Sequence, residues 1–220
     1  MAAGVFSLAA VLLLGAVGIA RSPAPAAERD PAAARDLVAL MRVGERGSWL
    51  ARYDFTRTLA NGRALRQPMS EARNSAVHVL ISGSAMTVER GNREFDCNLV
   101  GERVACHEST TGRLLPASTV LRVAVSVGAY EVSPRPSATI AGQSAQCFRV
   151  LGTGGGQLSD IGTETDMCLS ASGVPLSQRV VHPTGAVDER VARSIEVPAP
   201  TRTIDALRRS FGPDGALGQP

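Results

Sequence analysis

Residues Phe95–Glu108 read FDCNLVGERVACHE, and the rest of the chain is best read outward from them. Gly101-Glu102 suits a two-residue turn, because glycine at the first central position supplies the positive φ of a type II′ turn. With the turn there, Val100 opposes Arg103, Leu99 opposes Val104, Asn98 opposes Ala105 and Cys97 opposes Cys106. Pairs counted outward alternate between hydrogen-bonded and non-hydrogen-bonded. The two cysteines fall on a non-hydrogen-bonded pair, with Cα atoms about 4.5–5.5 Å apart. A disulfide spans about 4.4–6.8 Å. The hairpin and a Cys97–Cys106 disulfide therefore predict one another. A zinc or redox pair would want a C-x-x-C spacing, which the chain lacks.

The remaining two of the four cysteines lie in β-like runs on either side of a glycine-rich gap, TIAGQSAQCFRV (Thr139–Val150) and ETDMCLS (Glu164–Ser170). By exclusion Cys147 pairs with Cys168, joining neighbouring strands. In the chain-entropy account, closing such a loop stabilises by about 3 kcal/mol. Thr139–Gly152 is expected to be one strand, bent at Ala141-Gly142. The gap contains Gly152–Gly156, GTGGG, which invites comparison with a phosphate loop. No Gly-Lys-Ser/Thr follows and no helix opens after it, so a hairpin loop is the reading.

Disulfides point to export, and the N-terminus agrees. Val5–Ala20 is apolar and uncharged, shorter than the roughly 20 residues of a comfortable bilayer span. It fits the h-region of a secretory signal, with small-residue sites at Gly18-Ile19-Ala20 and Ala24-Pro25-Ala26. The first positive side chain, Arg21, follows the apolar run instead of preceding it. Residues 1–20 are thus a signal peptide or an uncleaved membrane anchor. Residues 21–31 are a spacer, 32–211 one disulfide-stapled β-rich domain, and 212–220 a tail.

The 220 residues carry 23 basic side chains, all arginine, and a net charge of +3. The charge is spread along the chain, which argues against a nucleic-acid surface. Aromatics make up 4% of the residues, so Val, Leu, Ala and Ile must build the core.

A helix is expected from Pro31, capped by Asp30, with Leu37, Leu40 and Met41 on one face and an end at Gly44 to Gly47. Ser48–Leu59 alternates, placing Trp49, Ala51, Tyr53 and Phe55 on one side. Asn61-Gly62 signals a turn. Strands follow at Ala64–Met69, Ala76–Ser82 and Ala85–Arg90. Leu114–Val127 suits a helix with Val120, Leu121, Ala124 and Val127 inward, while its density of valine suits a strand; the lack of a clean polar face favours the helix. Tyr130–Ser133 is a short strand stopped by Pro134 and Pro136. Leu176–His182 and Val187–Val197 form a last pair. Thr203–Phe211 (TIDALRRSF) is a short amphipathic helix with Ile204, Leu207 and Phe211 on one face. The fold class is α+β, mainly β.

The helix-then-strand opening, the twin-cysteine hairpin and the Cys147/Cys168 strand pair together resemble the LolA/LolB-like superfamily, including actinobacterial envelope lipoproteins of the LppX/LprG type. That resemblance covers roughly Ala32–Val197. It implies a curved antiparallel sheet, a half-barrel, with a few helices covering its concave side. Its implied function is to hold a lipid or acylated protein between sheet and helices, with Trp49, Tyr53 and Phe55 as candidate lining. The lipidated cysteine of those lipoproteins is absent here. The other reading is a non-catalytic protein-interaction domain, secreted or anchored in the membrane through its N-terminal segment.

Nothing points to an enzyme or a cofactor. No GxSxG occurs, and His78, His107 and His182 show no metal-ligand spacing. Asp160/Glu164 and Asp188/Glu189 read as solvated turn charges.

Overall fold

A computed structural model describes residues 31–91, 93–100, 103–109, 115–153 and 161–202. The helices are α1 (Pro31–Arg46) and α2 (Ala117–Ser126). The first meander of strands is β1 (Trp49–Thr58), β2 (Ala64–Arg73), β3 (Val77–Ser82), β4 (Ala85–Arg90), β5 (Arg93–Val100) and β6 (Arg103–Glu108). The second is β7 (Tyr130–Ile140), β8 (Gln143–Gly152), β9 (Glu164–Ser170), β10 (Pro175–Val181) and β11 (Val187–Glu196). All lie in one antiparallel sheet, ordered β6-β5-β4-β3-β2-β1-β11-β10-β9-β8-β7. Its two outermost strands, β6 and β7, do not pair with each other, so the sheet is open.

The sheet is also strongly curved. Strands β7 and β11 stand four places apart in the order, about 19 Å in a flat sheet, yet their Cα atoms approach within 8 Å. Helices α1 and α2 pack on β7 and on each other, and α1 also meets β9. This is the α+β half-barrel that the sequence predicts.

The register of β5 and β6 is the one derived above, from Val100–Arg103 out to Cys97–Cys106. Cys97–Cys106 and Cys147–Cys168 are both disulfides, each with Cα atoms 4.0 Å apart. Two disulfides fit an extracytoplasmic chain. The turn at residues 101–102, most of the glycine-rich gap, the leader and the Thr203–Phe211 helix lie outside the described residues.

Four local expectations are corrected. The prolines do not stop β7 at Ser133; it continues to Ile140, with a register shift between Arg135 and Ala138. As an edge strand, β7 tolerates missing donors on its open side. Ala141-Gly142 does not bend one long strand but forms the turn between β7 and β8, with φ of 50° and 73°. Both central residues at positive φ are what a type I′ hairpin requires.

Helix α1 ends at Arg46, directly before Gly47 as expected, but Gly44 lies inside the helix and does not help to end it. Gly44 serves close approach instead: a Cβ there would sit 2.2 Å from the Gly173 carbonyl oxygen. Finally, α2 buries Ser118, Leu121 and Ala124, while Val127 lies beyond the helix and is 72% exposed. The N-terminus of α2 is capped from α1. The Glu45 carboxylate accepts the Ser118 backbone N–H at 2.8 Å and the Ser118 hydroxyl at 2.6 Å. An anion there also complements the helix dipole.

Candidate functional site

The space where a carrier of this shape would hold its cargo is the interface between the helices and the sheet. It is filled by side chains. Leu37 and Val38 of α1 and Leu121 and Ala124 of α2 interlock with Tyr130, Val132, Phe148, Val150 and Leu169. Leu37 and Val150 are fully buried and Leu121 is 1% exposed. Burying one such side chain is worth about 1.5–3 kcal/mol.

Trp49, Tyr53 and Phe55, the candidate lining, share the face of β1 on which Ala51 also sits, as their alternation requires. Trp49 and Tyr53 are buried in a cluster with Ala51, Met69, Val174 and Ala192, and Phe55 packs against its margin. Their polar atoms are committed to backbone. The Trp49 indole N–H donates to the Gly44 carbonyl at 2.9 Å, and the Tyr53 hydroxyl donates to the Pro175 carbonyl at 3.0 Å. The first bond fastens the end of α1 to β1.

Beside these aromatics the structure gathers a group of charges that the sequence leaves scattered. Trp49, Arg73, His78 and Glu89 stand in one cross-strand row over β1–β4. Glu71, on the same face of β2, is 5% exposed. It accepts from Arg190 Nη1 of β11 at 2.6 Å and lies 2.8 Å from His78 Nε2. His78 Nδ1 is 2.9 Å from Glu89 Oε2, though it lacks hydrogen-bonding alignment. Arg73 also reaches Glu89, at 3.3 Å. The Arg190 guanidinium stands 5.2 Å from the centre of the Tyr53 ring, a cation–π arrangement.

Burial alone would raise the Glu71 pKa, but Arg190 and His78 outweigh it and hold the carboxyl at about 2. For His78, burial pulls downward, while the neighbouring Glu71 and Glu89 carboxylates win and raise it above its ordinary value. The Tyr53 hydroxyl is pushed well up, first by burial and then by the Glu71 charge. These shifts describe charges holding one another in place. Perturbed values mark functional sites only when a reacting group has access to them, and Glu71 and Tyr53 are closed off.

The other two histidines stand apart from this group. His182 Nε2 lies 3.0 Å from Asp188 Oδ2, and Arg57 grips the same carboxylate with two bonds of 2.6 Å. His107 is exposed, 3.9 Å from Asp96. Among the described residues, no group of three or more His, Cys, Asp or Glu side chains is placed to hold a metal ion.

Glu164, Asp188 and Glu189, expected as turn charges, are strand residues. Arg149, Asp166, Arg179 and Glu189 form a cross-strand row of alternating sign on β8–β11. Glu164 joins it through Arg149 at 3.1 Å and Arg179 at 3.8 Å. Asp160 lies outside the described residues. Two open concavities flank α1. One, of about 470 Å³, is lined by Ala39, Arg42, Val43, Arg46 and Gly47. The other, of about 210 Å³, lies between the start of α1 and β7–β8, beside Asp36, Arg135 and Phe148.

No family model matches the sequence, and no curated protein sequence matches it. Solved structures do. The fold is that of a chain in the MucA/MucB complex of Pseudomonas aeruginosa, which superposes with a TM-score of 0.51 at 14% identity. That match covers 76% of this chain and 58% of the other, so the present chain spans less than two thirds of it. A separate crystal structure of MucB gives a TM-score of 0.49 at 13% identity, covering 76% of this chain and 60% of that one. A LolA superfamily protein, NE2245 from Nitrosomonas europaea, is similar at a TM-score of 0.35 and 8% identity, over 78% and 96% of the two chains.

Proposed function

We propose that this chain is a non-catalytic binding domain of the cell envelope whose ligand is a protein segment. The observation that carries the reading is the filled interface between α1, α2 and the sheet, with Leu37 and Val150 fully buried. A lipid or other apolar cargo would have to displace α1 to enter that interface. That means breaking the Trp49–Gly44 bond and opening a packed core. The fold likeness to a chain found in a protein–protein complex supports a protein ligand. The leader Val5–Ala20 and the two disulfides support a place outside the cytoplasm, secreted or held at the membrane by that segment.

Native mass spectrometry of the purified full chain, with organic extraction of the same sample, tests the choice. The expected result is a clean apo mass, no extractable lipid and no uptake of fluorescent fatty acids. A stoichiometric co-purified lipid would establish the carrier in its place.

A further inference from the structure

The sheet has a second apolar surface, and none of the described helices lies on it. Leu50, Ala72, Val79, Val88 and Phe95 form one continuous cross-strand row from β1 to β5. Beside it run Ile81, Met86 and the Cys97–Cys106 disulfide. The row faces away from Glu71 and His78, because neighbouring strand positions point to opposite sides.

Left to solvent, these side chains would be half exposed. They are not: Val88 is fully buried, Val79 is 1% exposed, Met86 is 5% and Phe95 is 6%. Helices α1 and α2 pack at the other end of the sheet, on β7 and β9. Among the described members of this cluster, Ala199 is the one that lies off the strands. Its backbone N–H donates to the Ser48 carbonyl at 3.1 Å, so the chain leaving β11 is led onto this surface. Thr201 and Arg202, the last described residues, are helical.

We propose that the apolar surface of β2–β5 is a groove for an amphipathic helix, occupied by the chain's own residues Thr203–Phe211. Ile204, Leu207 and Phe211 recur at i, i+3 and i+7, one helical stripe. A helix from Thr201 to Phe211 is about 16 Å long. Three strand spacings, β2 to β5, measure about 14 Å. Length, apolar pattern and point of entry all match. The half-barrel is then covered on both sides by different helices, with α1 and α2 inside and the C-terminal segment outside.

The test uses the full-length chain. With p-benzoylphenylalanine in place of Leu207, irradiation should link that position to peptides within residues 77–97 of the same molecule. Leu207→Asp should speed amide exchange in β3–β5 by roughly tenfold or more. Ala206→Asp, on the opposite side of the helix, should leave exchange there unchanged. Links to a second copy, to residues 1–30, to α1 or to nothing would overturn the proposal. So would equal exchange in the two Asp variants. Should Leu207→Asp fail to fold, the photochemical link decides alone.

Discussion

Glu71 sets the terms at the scale of single residues. Its carboxylate is the shared partner of Arg190 and His78, so Glu71→Gln leaves two buried cations with a neutral neighbour. Removing one member of a buried pair costs about 3–5 kcal/mol. An unfolding free energy lowered by that amount in a urea titration is the expected outcome, while Glu71→Gln paired with Arg190→Met should recover part of it. The cluster also imposes a pH window. Glu71 is depressed from 4.5 to about 2, so its contribution is present above pH 4.5 and is lost as pH falls towards 2. His78 is raised above 6.5, so its contribution is full below pH 6.5 and fades as pH rises through the folded value. The charged and titratable groups facing it are Glu71 and Arg73 of β2, Glu89 of β4, Arg190 of β11 and Tyr53 of β1. Stability measured by denaturant titration should fall as pH rises from 6.5 through the folded His78 value, and His78→Gln should flatten that limb. None of this was visible in one dimension. Glu71 and Arg190 are 119 residues apart, and only the pairing of β1 with β11 brings their strands together.

The elements were easier to read where the signal is local. The alternation of Trp49, Ala51, Tyr53 and Phe55, the Cys97–Cys106 register and the Asn61-Gly62 turn each follow from a few adjacent residues. The errors came where a residue has two physical uses. Proline stops a central strand but is tolerated at an edge, and nothing in Tyr130–Ile140 says which β7 will be. Glycine ends helices, yet Gly44 sits inside α1 because the helix passes against the backbone of Gly173. The same contact makes a prediction. In Gly44→Ala the new methyl meets a carbonyl oxygen at 2.2 Å, not a side chain that could swing away. A loss of about 1–3 kcal/mol is expected, read as a lower thermal midpoint, with Gly47→Ala as the milder comparison. Glu45→Gln should loosen α2 by about 1 kcal/mol, since it removes the charge that caps Ser118. Faster exchange of the first α2 amides would report it.

For the whole molecule, the strand order has one seam. Each meander is knit by neighbours in sequence, and β1 with β11 is the long-range pairing that makes one sheet of the two. Reduction of both disulfides should therefore destabilise each meander separately. Cys97→Ser/Cys106→Ser should lower protection mainly in β4–β6, and Cys147→Ser/Cys168→Ser mainly in β8–β10. Hydrogen exchange resolved by peptide would distinguish that pattern from a uniform loss. The seam has a further consequence, which is mechanical. The chain enters β1 beside Leu50 and leaves β11 beside Glu196, and these two residues are paired. Tension applied where the chain enters β1 and leaves β11 thus falls first on the Ser48–Ala199 hydrogen bond and then on this rung. It peels the seam pair by pair from Leu50–Glu196 towards Thr58–Val187, instead of shearing all the rungs at once. Force applied at these two points would open the sheet along this line first. Under force it should part into its two meanders while each is still closed by its own disulfide.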